Sequence, residues 1–368
     1  MIPPLIFGGE WSDWIQRACI FLIVSCPCAL VISVPLGFFG GIGAAARNGI
    51  LVKGSNYLEA VADLKTIVFD KTGTITRGEF AVSNIMPYGV GREELLETAA
   101  LAEGYSTHPI AESLRKAFDK EPDMCRVGET EEIAGQGLRT TIDGEEILVG
   151  NAKLMAENGI EFREETEAGT VIYLARGGRF IGSILIADSL KDHADTFLDE
   201  LKQLGVTKTV MLTGDRKEAA EKAAKEAGFD EVYSELLPAD KVGMVEKLME
   251  GKEEKEKLAF VGDGINDAPV LMRADAGFAM GSMGSDAAIE AADIVIMDDD
   301  LNKIASSIRI AVKTMRIVKQ NIAFALIVKL GVLVLGAAGM ANMWEAVFAD
   351  VGVACLCILN SMRTLHTK

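Results

Sequence analysis

The chain has 368 residues, of which 49% are hydrophobic and 25% are charged, and its formal net charge is −17. So acidic a balance argues against a nucleic-acid partner, which needs basic residues to neutralise phosphates, and the composition excludes intrinsic disorder and a collagen-like fibre. The length allows about two or three domains, and a positive mean hydropathy of +0.23 beside so much charge indicates that the apolar residues are concentrated in blocks.

The first apolar block, residues 18–46, contains no charged residue and is long enough to cross a bilayer. It contains the motif Cys26-Pro27-Cys28. A proline inside a membrane helix removes a backbone hydrogen bond and frees a nearby carbonyl, and two thiols at such a break can bind one soft or borderline metal ion. Taken alone, the motif is equally compatible with a plain kink beside two packing cysteines.

A short apolar run, residues 66–69, predicts a buried parallel strand that ends at Asp70. The small polar residues of Lys71-Thr72-Gly73-Thr74 follow and can fold into a loop around a phosphate. An aspartate at the carboxyl end of such a strand lies where open α/β sheets place their ligands. Its carboxylate can act as a nucleophile toward a phosphoryl group and form an aspartyl-phosphate.

Two further segments repeat this pattern of a strand followed by an acidic loop. Residues 209–212 lead into Thr213-Gly214-Asp215, and residues 258–261 lead into Gly262-Asp263-Gly264-Ile265-Asn266-Asp267. Any one of these aspartates is more often a turn residue or a helix cap than a site residue. Three acidic strand ends at one sheet edge, however, favour a Mg²⁺ site, whose metal offsets the repulsion between an attacking carboxylate and a phosphate.

Residues 80–181 have their own composition and separate the Asp70 motif from the two later strand-and-loop motifs. Three short motifs punctuate this segment: Ser106-Thr107-His108-Pro109, Gly135-Gln136-Gly137 and Val149-Gly150-Asn151. Each is weak evidence alone, because a His-Pro pair usually begins a helix and a Gly-x-Gly is a common turn.

The second and third apolar blocks, residues 320–343 and 344–362, contain the ionisable residues Lys329, Glu345 and Asp350. Ionisable residues inside membrane segments are costly and therefore suggest function. Lys329 and Asp350 can pair when a metal site is empty, and Asp350 can become a ligand when it is filled. A carboxylate suits Zn²⁺ or Cd²⁺ better than Cu⁺.

The chain therefore reads as one membrane helix, a large polar insert and a membrane helical hairpin. The positive-inside rule predicts that the insert and the C-terminus are cytoplasmic, because basic residues cluster at those ends of the blocks. The length of the first block and the agreement of the flanks disfavour the alternative of buried helices in a soluble protein. The basic residues are Arg47, Lys53, Lys313, Arg316, Lys319, Arg363 and Lys368.

The motifs at residues 70–74, 213–215 and 262–267, in this order, resemble those of the P-type ATPases, members of the haloacid-dehalogenase-like superfamily. The resemblance implies an α/β fold: a haloacid-dehalogenase-like (Rossmann-type) phosphorylation domain with an inserted α+β nucleotide-binding domain, plus transmembrane α-helices. The implied domains are a Cys-Pro-Cys membrane helix (1–53), the phosphorylation domain (54–79 and 182–300), the nucleotide-binding domain (80–181) and a C-terminal membrane hairpin (301–368).

The resemblance also assigns roles within the phosphorylation and nucleotide domains. Asp70 is the phosphorylated nucleophile, Thr213 holds the phosphoryl oxygens, and Lys241 neutralises their charge. The residues implied in catalysis are Asp70, Lys71, Thr72, Thr213, Gly214, Asp215 and Lys241. The Mg²⁺ site is implied at Asp70, Thr72, Asp263 and Asp267. The residues implied around ATP are Glu103, His108, Gly135, Gly137, Asn151, Asp188 and Asn266, and Thr107 stands where the family commonly has Glu.

Beside these motifs, Cys-Pro-Cys resembles the heavy-metal branch of the P-type ATPases, and Lys329 with Asp350-Val351-Gly352 resembles its Zn²⁺/Cd²⁺/Pb²⁺ exporters. The transported ion would bind Cys26, Cys28 and Asp350, with Lys329 as charge partner, while Cys355 and Cys357 are packing residues. The implied protein lies in the cell membrane among lipid, uses ATP and Mg²⁺, and has cytoplasmic catalytic domains. A copper exporter is the alternative, but its Tyr-Asn and Met-Ser patterns do not occur here.

The resemblance covers the C-terminal half of such a pump, which normally has earlier membrane helices and an actuator domain with a Thr-Gly-Glu loop. We therefore expect the chain to bind ATP and phosphorylate Asp70, but to turn over slowly and not to transport alone. Two other classes remain: a soluble phosphatase of the same superfamily, which the membrane blocks disfavour, and a non-transporting fragment that only binds ATP and metal.

Overall fold

The computed structural model describes residues 10–106, 108–163, 169–191, 194–253, 255–262, 267–281, 286–298 and 300–366. The chain divides into two compact units. The first unit comprises Met1–Phe69, Thr196–Val210 and Leu237–Lys368, and the second comprises Asp70–Asp195 and Met211–Leu236. The domain boundaries expected above remain a prediction.

The α-helices of the described residues are, in chain order, α1 Trp11–Val24, α2 Cys28–Arg47, α3 Ser55–Ala62, α4 Arg92–Ala102, α5 Pro109–Phe118, α6 Ala152–Glu157, α7 Ala194–Gln203, α8 Lys217–Ala227, α9 Pro238–Glu250, α10 Ala268–Leu271, α11 Asp286–Ala291, α12 Asn302–Ala337, α13 Met343–Val347 and α14 Val353–Ser361. The strands are β1 Ile50–Val52, β2 Leu64–Asp70, β3 Thr76–Pro87, β4 Val127–Ile133, β5 Gly137–Ile142, β6 Glu145–Gly150, β7 Thr170–Arg176, β8 Arg179–Leu190, β9 Lys208–Leu212, β10 Glu231–Tyr233, β11 Lys257–Gly262, β12 Ala276–Ala279 and β13 Ile294–Ile296.

Three helical segments of the first unit are long and apolar enough to cross a membrane: Trp11–Arg47, Asn302–Ala337 and Met343–Leu365. They correspond to the three apolar blocks of the sequence, so the expectation of transmembrane α-helices is confirmed. In the third segment a wide helical turn, Phe348–Gly352, joins α13 to α14. Cys357 is buried, as expected of a packing residue, whereas Cys355 is exposed.

The first membrane segment is broken between α1 and α2, at the position of Pro27. Proline has no N–H to donate, and the Leu30 N–H donates to the Pro27 carbonyl, 3.0 Å away, instead of continuing the α-helical pattern to Cys26. The Val24 carbonyl would ordinarily accept from the Cys28 N–H and the Cys26 carbonyl from the Leu30 N–H, and neither bond forms across the break between the described helices α1 and α2. Such groups need another donor, because an unpaired carbonyl in a membrane interior is costly.

Helix α2 packs closely on its neighbours because glycines line one side of it. A Cβ atom at Gly37 would lie 2.9 Å from the Val318 side chain, and one at Gly41 would overlap the Thr314 side chain. Gly43 faces a roomier surface, where the nearest atom, in Leu365, would be 3.6 Å away. Small residues at helix interfaces allow this close approach of backbones in membrane proteins.

A seven-stranded sheet has the strand order β1-β13-β12-β11-β2-β9-β10. Strand β11 is parallel to both β12 and β2, while β1 runs antiparallel to β13. Phe69 on β2 pairs with Val261 on β11, so the carboxyl ends of these two strands lie side by side. This is the arrangement that the sequence predicted for the loops after Phe69 and Val261, and it is typical of α/β sheets with a ligand site at that edge.

A six-stranded antiparallel sheet in the second unit has the order β3-β8-β7-β6-β5-β4. Helices α4 and α5 contribute Leu95, Leu101 and Leu114 to a core shared with Val149 and Leu174 of the sheet. The long strands β3 and β8 pair with each other and carry the chain into and out of this sheet. Together, the two sheets and the apolar helices confirm the expected fold class.

We predict that Gly41→Ala destabilises the packing of α2, because the added methyl overlaps the Thr314 side chain. Overpacking of this kind costs about 1–3 kcal/mol, and the melting temperature of the detergent-solubilised chain should fall. Gly43→Ala is the matched control, since its methyl makes only ordinary contacts and alanine favours a helix over glycine by up to about 1 kcal/mol. Equal melting temperatures for the two variants would contradict this account of the packing.

Candidate functional site

The loop that follows β2 is a wide turn that begins at a buried aspartate. Asp70 ends the strand with only 6% of its surface exposed. Residues Lys71–Ile75 then make a wide turn in which Thr72 is extended and Gly73 has a φ of +71°. A side chain would be strained in that left-handed conformation, so the turn requires glycine. The chain thus holds one buried carboxylate at the start of a compact loop.

Lys71 and the segment Thr213–Asp215 lie together in the second unit. The Lys71 ammonium forms an ion pair with the Asp215 carboxylate. The Asp215 N–H donates to the Thr213 hydroxyl at 3.1 Å, and the Thr213 N–H donates to the Tyr233 carbonyl on β10 at 3.0 Å. The Thr213 hydroxyl keeps its own hydrogen available to donate to a phosphoryl oxygen.

Two residues that the sequence did not single out complete this loop. The Thr76 hydroxyl accepts from the Gly73 N–H at 3.2 Å, lies 2.9 Å from the Lys71 carbonyl oxygen and contacts the Asp188 carboxylate. The Lys191 ammonium donates to the Gly73 carbonyl at 3.1 Å. The structure therefore places Asp188 beside the loop Lys71–Ile75. The sequence signal for Thr76 is its position two residues after the motif, which ends at Thr74.

The Thr74 hydroxyl is a second buried hydroxyl of this loop. The Thr74 side chain is fully buried, and its oxygen has no hydrogen-bond partner among the described residues. A buried hydroxyl without a partner is uncommon and usually indicates a missing water, ion or ligand. This feature fits a loop that binds a group rich in oxygen acceptors.

Lys241 and Asp267 form a buried pair in the first unit. The Lys241 ammonium donates to Asp267 Oδ1 at 3.1 Å, and the two side chains are 12% and 3% exposed. A Cβ atom at Gly262 would lie 2.8 Å from Asp267 Oδ2, so glycine leaves room for this carboxylate. Thr107, Asp263 and Asn266 lie outside the described residues.

Three of the residues predicted around ATP meet in the second unit. The Asn151 amide donates to the Gly135 carbonyl at 3.0 Å, and the Asn151 N–H donates to the Gln136 carbonyl at 2.8 Å. Gly137 is paired with Gly150 on β6, and a Cβ atom at Gly137 would overlap the Val149 carbonyl. Glycine at this position allows the close approach of two backbones.

His108 and Glu103 lie at the two ends of the short segment between α4 and α5. His108 Nδ1 accepts from the Ile110 N–H at 3.3 Å and caps α5, so Nε2 is the nitrogen that remains for a ligand. The Arg115 guanidinium fixes the segment by donating to the carbonyls of Glu103 and Ser106, at 2.7 and 2.9 Å.

The electrostatics of Glu103 connect it to the sheet that contains the glycines. Burial raises the pKa of the Glu103 carboxyl, and the charge of Glu132 on β4 adds to this effect, against opposing effects of Ser106, His108 and Arg115. The carboxyl form of Glu103 is therefore favoured over the carboxylate more than in an exposed glutamate.

In the membrane segments, Cys26, Cys28 and Asp350 form a cluster whose potential ligand atoms all lie within 4.8 Å of one another. The two cysteines are joined as a disulfide. Thiolate is the form of cysteine that binds metals, so the two cysteines can act as ligands only after the disulfide is reduced. Two sulfur ligands and one carboxylate oxygen suit a borderline divalent ion such as Zn²⁺.

Lys329 completes this cluster from α12. Its side chain is 9% exposed, and its ammonium lies 3.2 Å from Asp350 Oδ1. The same ammonium donates to the Val24 carbonyl at 3.2 Å and to the Cys26 carbonyl. These are the two carbonyls that lack helical partners at the break near Pro27. The Lys329 ammonium therefore donates to both carbonyls and also neutralises the Asp350 carboxylate.

Comparison with known proteins agrees with this arrangement, since the haloacid dehalogenase-like hydrolase family matches residues 64–275. The chain belongs to this family. It is 55% identical over its whole length to the cadmium, zinc and cobalt-transporting ATPase of Bacillus subtilis (strain 168), and 50% identical over 99% of its length to the zinc-transporting ATPase of Synechocystis sp.. The chain spans 53% and 50% of the length of these two proteins.

A solved structure leads to the same branch of this hydrolase family. A crystal structure of a zinc-transporting PIB-type ATPase matches the whole chain with a TM-score of 0.87 and 37% identity, and the chain covers 60% of it. The resemblance to the heavy-metal P-type ATPases is thus confirmed, and so is the expectation of a membrane protein. Nothing in these relatives favours the copper alternative over zinc and cadmium.

For this member of the hydrolase family we predict that Glu103→Gln removes a pH-dependent loss of stability. The folded-state pKa of Glu103 lies above its ordinary value of 4.5. The folded chain therefore keeps this proton to a higher pH than the unfolded chain does. Its contribution to stability is therefore greatest at low pH and falls as pH rises through the folded pKa. The free energy of unfolding, measured in urea at several pH values, should fall less steeply in the variant.

Glu94→Gln is the matched control with the opposite sign. A hydrogen bond from Arg176 holds the pKa of the exposed Glu94 carboxyl below its ordinary value. Its contribution to stability is therefore present above the unfolded pKa and is lost as pH falls. The prediction for Glu103 is wrong if the two variants change the pH dependence in the same direction.

Proposed function

We propose that this chain is the catalytic and C-terminal membrane part of a P-type ATPase that exports Zn²⁺ or Cd²⁺ through an aspartyl-phosphate at Asp70. One observation carries the proposal: a cluster of Cys26, Cys28 and Asp350, with Lys329, in the membrane segments of a chain whose other motifs fit phosphoryl transfer. Neither a soluble phosphatase nor a nucleotide-binding protein needs such a cluster.

In the proposed reaction, an Asp70 carboxylate oxygen attacks the γ-phosphorus of ATP. A bond forms between this oxygen and phosphorus, the bond to the bridging oxygen breaks, and its electron pair leaves with ADP. Thr213 donates its hydroxyl hydrogen to a phosphoryl oxygen. Lys71, oriented by Asp215, supplies positive charge to the same group, and Lys241 contributes a second positive charge.

The acidic residues of these motifs fit a Mg²⁺ ion, which prefers oxygen ligands. Asp70 and Asp267 are buried acidic residues, and their carboxylate oxygens are the ligand type that Mg²⁺ takes. The proposed ligands are Asp70, the Thr72 carbonyl and Asp263, with Asp267 in support. When bound, Mg²⁺ neutralises charge on the phosphates.

ATP is proposed to bind between the segment that carries Glu103 and His108 and the hairpin that carries Gly135 and Gly137. His108 Nε2 is directed to the nucleotide because Nδ1 caps α5. The bare backbone at Gly135 and Gly137 allows the base to approach the sheet, and Asn151 keeps this turn in shape through its bond to the Gly135 carbonyl.

The charges of the membrane cluster favour a divalent cargo. With both cysteines ionised, the three ligands carry three negative charges, which one divalent ion and the Lys329 ammonium neutralise. A monovalent ion such as Cu⁺ leaves one negative charge uncompensated, which is expensive in a membrane interior. Without cargo and with protonated thiols, Lys329 and Asp350 neutralise each other. The cluster is therefore neutral both with and without a divalent ion.

The proposed cargo includes Pb²⁺ as well as Zn²⁺ and Cd²⁺, because sulfur ligands accept all three borderline or soft divalent ions. Export takes place across the cell membrane, among lipids, with the catalytic motifs on the cytoplasmic side that the basic flanks predict. We propose further that the complete pump contains an N-terminal half with the actuator domain, which hydrolyses the phosphoenzyme.

We predict that Asp70→Asn abolishes labelling of the chain by γ-³²P-ATP, because an amide is not a nucleophile toward phosphorus. Acid-stable label on the denatured protein is the measurement, and it should fall to background. Asp63→Asn is the matched control: it makes the same substitution at an exposed residue just before β2 and should leave the label at the wild-type level. Label in Asp70→Asn would place the nucleophile elsewhere.

We also predict that Cys28→Ser weakens Zn²⁺ binding by more than about a hundredfold. Loss of a residue that only supports a metal ligand costs up to about a hundredfold in affinity, and loss of a ligand itself should cost more. Competition with a chelating dye, on the reduced chain in detergent, measures the Kd. Cys355→Ser exchanges an exposed cysteine in α14 outside the cluster and should bind Zn²⁺ like the wild type. Equal affinities of Cys28→Ser and the wild type would remove this cluster as the cargo site.

The same titration with Cd²⁺, Pb²⁺ and Cu⁺ tests the choice of cargo. We predict that Asp350→Asn weakens the binding of the divalent ions more than the binding of Cu⁺. The substitution removes the third negative charge of the cluster, which a divalent ion balances and Cu⁺ does not. If Asp350→Asn instead weakens the binding of Cu⁺ more than that of the divalent ions, the result favours the copper alternative.

A further inference from the structure

We propose that Thr76 and Asp188 are positioning residues for the phosphorylation loop, so that Asp188 acts on the Asp70 loop and not on the nucleotide. The inference rests on the proposed function of Asp70. Both residues belong to the second unit, as does the whole loop from Lys71 to Ile75. They lie on β3 and β8, the two strands through which the chain enters and leaves the six-stranded sheet.

The Thr76 hydroxyl is the centre of this arrangement. The side chain is 1% exposed. Its oxygen accepts from the Gly73 N–H at 3.2 Å, lies 2.9 Å from the Lys71 carbonyl oxygen and contacts Asp188 Oδ2. One buried hydroxyl thus meets two backbone groups on opposite sides of the turn and one side chain from another strand.

Asp188 determines the direction in which the Thr76 hydroxyl donates its hydrogen. A hydroxyl has one hydrogen, so Thr76 can donate either to the Lys71 carbonyl or to the Asp188 carboxylate, but not to both. An ionised carboxylate is the stronger acceptor, so it takes the hydrogen and fixes the rotation of the Thr76 side chain. That rotation directs an oxygen lone pair at the Gly73 N–H, in the turn that follows Asp70.

The end of β8 holds the same turn through a second residue. The Lys191 ammonium donates to the Gly73 carbonyl at 3.1 Å, and the Lys191 N–H donates to the Ile75 carbonyl at 2.9 Å. Gly73 is therefore held through its N–H by Thr76 on β3 and through its carbonyl by Lys191, the residue directly after β8. These bonds tie the turn to the six-stranded sheet, because β3 and β8 are two of its strands.

Contact between Asp188 and the nucleotide is the competing role, and two phosphoryl donors separate it from positioning. Acetyl phosphate has no adenosine, so a residue that only holds the nucleotide is irrelevant to labelling by this donor. A positioning residue affects the attack of Asp70 on both donors equally. Misplacement of a reacting group by about 1 Å costs on the order of a hundredfold in rate.

The first experiment measures amide hydrogen exchange in the peptide that covers residues 71–76, with the full chain in detergent. We expect faster exchange in Thr76→Val and Asp188→Asn, and wild-type exchange in Thr76→Ser, which keeps the hydroxyl. Thr98→Val is the matched control, since Thr98 is another buried threonine whose hydroxyl bonds to the Glu94 carbonyl and to Arg176, away from the loop. It should leave this peptide unchanged.

The second experiment compares initial rates of Asp70 labelling by ATP and by acetyl phosphate. We expect Thr76→Val and Asp188→Asn to lose on the order of tenfold to a hundredfold with both donors, with recovery in Thr76→Ser. If Asp188→Asn loses rate with ATP alone, Asp188 is a nucleotide contact and the proposal is overturned. Wild-type exchange of peptide 71–76 in Thr76→Val would overturn it as well.

The two experiments also separate this inference from the function on which it rests. A wild-type chain that takes label from neither donor contradicts the proposed function, whereas the exchange data still decide whether Thr76 and Asp188 hold the loop. Melting temperatures of all variants show whether a change is local to the loop, and Thr76→Ser provides the comparison if Thr76→Val unfolds.

Discussion

The membrane part of this chain depends on one buried ammonium group. Lys329 lies 3.2 Å from the Asp350 carboxylate and donates to the carbonyls of Val24 and Cys26. Pro27 breaks the helix and leaves those carbonyls without partners, so the break that exposes two cysteines creates a place for the lysine. Neither feature is tolerable alone in an apolar environment, because an unpaired lysine and unpaired carbonyls are both costly there. Their hydrogen bonds lower the cost of burying both the lysine and the carbonyls, and they set the geometry of the proposed cargo site.

Much of this arrangement follows from local sequence. The apolar run before Asp70, the polar loop after it and the proline inside an apolar block each predict their own structure, because a strand, a turn and a helix break depend on neighbouring residues. The membrane blocks were predictable for the same reason. The pairing of Lys329 with Asp350 also followed from chemistry, since an isolated charge in a membrane needs a partner.

The contacts that sequence reasoning missed are those between distant residues that carry no pattern of their own. The Lys329 ammonium meets a backbone carbonyl 303 residues earlier in the chain, and carbonyls are present at every position. Thr76 meets Asp188 across a separation of 112 residues, through a hydroxyl that resembles any other threonine in the sequence. Glycines were recognisable as motif members, but the sequence does not reveal that a side chain would overlap Thr314 at Gly41 and would make only an ordinary contact with Leu365 at Gly43.

The same physical arrangement recurs at the proposed sites for phosphate and for metal. Lys71 is paired with Asp215, Lys241 with Asp267, and Lys329 with Asp350, so a lysine neutralises an acidic residue before any substrate arrives. A phosphoryl group then competes for the lysines, whereas a metal ion competes for an aspartate. In each case binding must replace an existing ion pair, and part of the interaction energy with the substrate is spent on that exchange. Affinity at each proposed site is thereby kept below what the bare charges would give.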